Sequence, residues 1–129
     1  MRMAVLLGVA AIGLAPGLAQ AVDSSSLTLR TTQDLYRVCT VPSTDELHQE
    51  AINLCEGFLA GAVSYHDAVT DRHHLKRLIC YPQDVTRDQG TQAFIAWAGA
   101  HQQDQKFMSD PAVYGVVRGL ASKWPCKSK

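Results

Sequence analysis

The chain has 129 residues, and its 12 Lys and Arg side chains balance its 12 Asp and Glu side chains. That balance argues against a nucleic-acid partner, which normally needs a basic face, and it offers no attraction to an anionic membrane surface. The length fits a single domain.

Taken from the start, Met1-Arg2-Met3 is a short basic opening, residues 4–14 are apolar, and Ala19-Gln20-Ala21 has the A-x-A form of a cleavage site. This reads as a signal peptide over residues 1–21. Its apolar run is too short to span a bilayer, and no later stretch is apolar enough to do so. The expectation is an exported, soluble chain. Residues 22–30 read as a flexible mature N-terminus, with Leu27 and Leu29 able to hold part of it. The folded domain is expected over residues 31–126, followed by a tail at 127–129.

A first short helix is predicted after a cap at Thr31 or Thr32, with Asp34 in its first turn. It ends at Thr40-Val41-Pro42, because Pro42 disfavours helix in the residue before it. Ser43 and Glu46 fit a capping box for a second, long helix running to Val69 or Arg72. On that helix Leu47, Ala51, Leu54, Cys55, Phe58, Leu59, Ala62, Tyr65, His66 and Val69 share one broad face. Gly57 and Gly61 sit in its interior at a cost of about 1 kcal/mol each relative to alanine. A close approach by a neighbouring helix or loop is the expected reason. Residues 70–77 are polar and read as a loop or frayed helix end. A third helix starts at Asp84 or at Thr86, whose partner in a capping box is Gln89. Its stripe is Gly90, Phe94, Trp97, Ala98 and His101. For a fourth helix, Asp110 is the expected cap and Pro111 the first residue, with Ala112, Val113, Val116, Val117 and Leu120 facing inward. The pattern predicts a small all-α domain of four helices, orthogonal or up-down.

Four cysteines, Cys39, Cys55, Cys80 and Cys126, lie within the folded part. An even count in an exported chain reads as two disulfides. Of the three possible pairings, an up-down arrangement favours Cys39–Cys55 and Cys80–Cys126, since it places the end of helix one beside helix two and the start of helix three beside the end of helix four.

The five histidines form no recognisable catalytic or metal pattern: there is no H-E-x-x-H, no C-x-x-C and no pair of histidines four residues apart. His66 and His101 read as partly buried side chains with local hydrogen-bond partners. His66 and Asp67 are expected to point apart, as adjacent residues on a helix. A metal site built from His66, Asp67, Asp71, His73 and His74 is the competing reading. Neither a phosphate loop nor an unpaired cysteine suggests an enzyme, and no cofactor is implied.

Four segments in order resemble a known family. They are the helix-ending Cys39, then Cys55-Glu56-Gly57-Phe58-Leu59-Ala60-Gly61, then Cys80-Tyr81-Pro82 with Val85-Thr86, then Trp124-Pro125-Cys126. The order is similar to that of the Rap/Tai immunity proteins of type VI secretion systems. The resemblance implies a periplasmic, helical, disulfide-bonded protein that binds a secreted cell-wall amidase and occludes its active site. Many members are dimers, so a second copy is a further implied partner. The chain departs from the pattern after His101, where Gln102-Gln103-Asp104 replaces a P-E or P-x-L pair. Exposed polar loops are the expected contact regions, here Asp71, Arg72, His73, His74 and Lys76, and also Gln102, Gln103 and Asp104. Two other readings stand beside this one. The first is an acid-stress chaperone of the HdeA type, loosened when histidines charge. The second is a hydrolase or metal protein.

Overall fold

Five helices pack around one apolar core in this computed structural model, which describes residues 24–127. The predicted signal peptide lies outside the described residues. After a single 3-10 turn at Ser24–Ser26, the helices are α1 (Thr32–Cys39), α2 (His48–Arg72), α3 (Arg87–Ala100), α4 (Gln105–Ser109) and α5 (Ala112–Lys123). The domain is all-α, as the patterning predicts, with the short α4 added to the four expected helices.

Local chemistry sets most of the boundaries. Thr31 caps α1: its hydroxyl accepts from the Asp34 amide at 3.1 Å, and the Asp34 carboxylate accepts from the Thr31 amide at the same distance. Thr86 and Gln89 make the same reciprocal pair at the start of α3. Each pair satisfies two amides that the first helical turn leaves without partners. Asp104 caps α4 by accepting from the Phe107 amide. That cap explains the extra helix, which the hydrophobic patterning does not predict.

Two helix starts differ from expectation. No Ser43–Glu46 capping box forms, and α2 begins at His48. Residues 42–48 instead make tight turns: the Asp45 amide donates to the Pro42 carbonyl, and the Asp45 carboxylate accepts from the Leu47 amide at 2.9 Å. His48 then closes the turn by donating from Nδ1 to the buried Val41 carbonyl at 2.8 Å. At α5 the cap is Pro111 rather than Asp110. Asp110 is engaged elsewhere, its carbonyl accepting from the Thr32 amide at 2.8 Å and its carboxylate pairing with Arg118 at 2.6 Å.

The core takes Leu35 and Val38 from α1, Ala51, Cys55 and Leu59 from α2, Phe94 and Ala98 from α3, and Val116 and Leu120 from α5. Short α1 is its centre, packing against every other helix, while α3 and α5 share the most extensive interface. On α2 the buried stripe is narrower than predicted: Leu54 is at the edge and Tyr65 is 73% exposed. Val113 on α5 is also exposed.

The glycines reverse the expectation. Nothing lies within 4 Å of where a Cβ would stand on Gly57 or Gly61, so neither admits a neighbour. Close approach occurs on α5, where a Cβ on Gly115 would overlap Thr32, and one on Gly119 would come within 3.1 Å of the Phe94 backbone. Thr32 is fully buried, and its hydroxyl donates to the Asp110 carbonyl at 3.2 Å. These two glycines let α5 sit against α1 and α3.

Disulfides join Cys39 to Cys55 and Cys80 to Cys126, the pairing that the up-down reading favours. The first ties α1 to α2. The second ties the α2–α3 connection to the chain after α5, where the Cys80 amide also donates to the Trp124 carbonyl at 3.0 Å and Ile79 bridges to Pro125. No helix among the described residues is long and apolar enough to cross a membrane.

Candidate partner-binding surface

The end of α2 is built to hold the loop that follows it. His73 caps the helix, and His74 takes a left-handed conformation with φ of 51°. The Leu75 amide then reaches back to the Thr70 carbonyl at 3.1 Å, and the His73 amide donates to Val69. This is the Schellman ending, with a histidine where glycine normally sits. A non-glycine residue in that conformation is mildly strained, and such strain gathers at functional segments.

Asp67 organises the rest. Its Oδ1 accepts from Arg77 Nη2 at 2.7 Å and from His66 Nδ1 at 2.9 Å, while its Oδ2 accepts from the Tyr81 hydroxyl. The other arm of the Arg77 fork donates to Asp71 at 3.0 Å. His66 completes the set by accepting the Leu78 amide on Nε2 at 3.1 Å. Adjacent His66 and Asp67 therefore do meet, against expectation. The reason is that Nδ1 lies close to the imidazole's own backbone, within reach of a short neighbouring carboxylate. Burial works to raise the Asp67 pKa, but the hydrogen bonds from Tyr81 and His66 and the charge of Arg77 outweigh it, and the carboxyl lies below its ordinary value. The same carboxylate raises Tyr81, chiefly through their hydrogen bond, with burial adding to it.

The loop is thus fixed at both ends, by Asp67 at one and the Cys80–Cys126 bridge at the other. Between them Arg72, His73, His74, Leu75, Lys76 and Leu78 are exposed. Leu75 and Leu78 are each more than half exposed. Their apolar character pointed inward, and only the backbone turn at His74 places them at the surface. Asp71 is exposed but committed to Arg77, so its role is to brace the loop.

The second predicted segment is arranged differently. Asp104 caps α4, and the Gln102 side chain donates to the Ala98 carbonyl at 3.3 Å. Those bonds make a closed α3–α4 turn without a proline, and only Gln103 of the three is exposed. Beside this turn His101 donates to the Trp97 carbonyl at 2.7 Å and stacks on the Trp97 ring at 4.5 Å. Phe107 abuts both rings, and Arg118 lies over Phe107 at 4.6 Å. An open groove of about 860 Å³ runs along α3 from Asp84 and Asp88 past Trp97 to Trp124. No hydrogen bond or ion pair among the described residues joins this segment to the α2–α3 loop, so the two are separate features. Nor does any group of three or more His, Cys, Asp or Glu side chains among the described residues have the arrangement of a metal site.

Residues 31–126 match the family described as Rap1a immunity proteins. The chain belongs to this family. No curated protein matches it, and no solved structure does. The match spans all five helices and both disulfides. An immunity protein acts by binding a partner effector protein, a role that is generally non-enzymatic.

Proposed function

We propose that this Rap1a-family protein is exported by cleavage after Ala21 and works in the periplasm, where it binds a type VI secreted peptidoglycan amidase and occludes its active site. The observation that carries the reading is the α2–α3 loop. It presents Leu75 and Leu78 beside the basic side chains of Arg72 and Lys76 on a backbone already fixed by Asp67 and Cys80. A segment ordered before binding loses little entropy on docking. Exposed apolar side chains flanked by cations suit a partner surface that is apolar at its centre and acidic at its rim. Gln103, exposed beyond α3, is a second contact.

Titration calorimetry of the purified protein against the amidase encoded beside it tests this directly. Leu75→Asp is expected to weaken binding by about tenfold or more, the range of an interface hot spot, with the helical circular dichroism unchanged. The reading is lost if no complex forms, or if Leu75→Asp and Lys76→Glu both bind at full strength. A homodimer is part of the proposal, and light scattering checks it. The acid-stress alternative predicts that an apolar dye binds increasingly between pH 7 and pH 3; a flat response is expected here, because one disulfide ties α1 to α2 and the other ties the α2–α3 connection to the chain after α5.

A further inference from the structure

Both ring nitrogens of His66 are committed to partners of fixed character. The Leu78 amide can only donate, so Nε2, at 3.1 Å, is the bare nitrogen. It follows that Nδ1 carries the hydrogen and donates to Asp67 at 2.9 Å. A neutral imidazole can serve both partners at once. An imidazolium has N–H groups on both nitrogens and can no longer accept from Leu78. We infer that His66 is a pH-sensitive latch on the α2–α3 loop: neutral, it holds the Leu78 backbone against α2, and protonated, it lets that backbone go.

The groups that face His66 decide which bond breaks. From its own helix comes Asp67; from the α2–α3 connection come Arg77 and Tyr81, both hydrogen-bonded to Asp67. No charged side chain of α1, α3 or α5 pairs with any of these among the described residues. Protonation strengthens the attraction between the ring and Asp67, which keeps the imidazole on α2. It also sets an N–H against an N–H at Leu78 and places a second cation beside Arg77, which shares the same Asp67 oxygen. The ring therefore stays and the loop leaves. His66 is only 8% exposed, whereas Leu78 is 53% exposed, so the released amide passes readily to water. Histidine is the side-chain type whose charge change belongs to the range between about pH 5 and pH 8, the range over which the latch is tested.

The latch is a property of the free protein; only its consequence for effector binding rests on the proposed function. Imidazole nitrogen NMR at pH 7.5 should show His66 with Nδ1 protonated and Nε2 bare. Exchange of the Leu78 amide, corrected for its intrinsic pH dependence, should rise about tenfold by pH 5.5, as for the loss of one hydrogen bond. In His66→Gln, which keeps a donor and an acceptor but does not titrate, the corrected exchange should be flat. An Nε2-protonated ring, a flat exchange profile in the natural protein, or an equal rise in the glutamine variant would each overturn the latch. Should the variant fail to fold, the two measurements on the natural protein decide. Effector affinity is expected to fall over the same range; a latch that opens while affinity stays constant would sink the loop as contact surface and leave the latch standing.

Discussion

Asp67 shows how much one carboxylate can organise. It receives an imidazole, a guanidinium and a phenol, and through them it positions residues up to 14 positions further along the chain. Replacing it with asparagine removes the charge from all three and is expected to cost about 2 kcal/mol at pH 7, the range for partly buried hydrogen bonds to a charged group. The pH dependence follows from its lowered pKa. The stabilisation is fully present above the unfolded value of 3.8 and is lost as pH falls through the lower folded value. Urea titrations of the natural protein and Asp67→Asn should therefore differ at pH 7 and begin to converge only below about pH 4. His74 makes the opposite case. Its left-handed backbone favours glycine, so His74→Gly should stabilise the fold by about 1 kcal/mol, measurable as a raised thermal midpoint. None of this was legible beforehand. Asp67, Arg77 and Tyr81 form no motif, and their meeting depends on a turn whose left-handed residue is not a glycine.

At the scale of the element, two pairs of helical glycines behave oppositely. Gly57 and Gly61 face open space, so alanine at either position should stabilise α2 by about 0.5–1 kcal/mol. Gly115 abuts the buried Thr32, and alanine there should destabilise by about 1–3 kcal/mol through overpacking. Chemical denaturation of the three single variants checks both signs. Sequence periodicity cannot separate these pairs, since each is a pair of glycines four residues apart within a helix. Only the position of a neighbouring element distinguishes them. Caps were more legible: the Thr86–Gln89 box forms as read, because it needs only four consecutive residues, and the cap left open between Thr31 and Thr32 falls on Thr31, with Asp34 as its reciprocal partner. The Ser43–Glu46 box fits the same template, yet Asp45 and His48 divert that segment into turns.

Across the whole molecule, the two disulfides close loops with sequence separations of 16 and 46 residues. In the chain-entropy account these stabilise by about 3 and about 4 kcal/mol, a large share of what a domain of this size has. Full reduction should therefore unfold the protein or bring its thermal midpoint close to ambient, whereas Cys39→Ser with Cys55→Ser should leave a weakened native fold. Near-ultraviolet circular dichroism with and without reductant distinguishes the two. Reduction also frees Cys80 from Cys126 and so loosens one end of the α2–α3 loop.

The sequence by itself determined the helical class, the capping box of Thr86 with Gln89, the presence of two disulfides and the family. Each rests on short-range spacing or on a count, and neither needs knowledge of what lies across the core. Tertiary structure alone decided where α2 and α5 begin, which glycines are close-packed, and that Leu75 and Leu78 stand exposed. It also decided that His66, Asp67, Arg77 and Tyr81 converge. Those outcomes depend on contacts between segments that fold back on one another, and a linear pattern carries no record of which partner a polar side chain will meet.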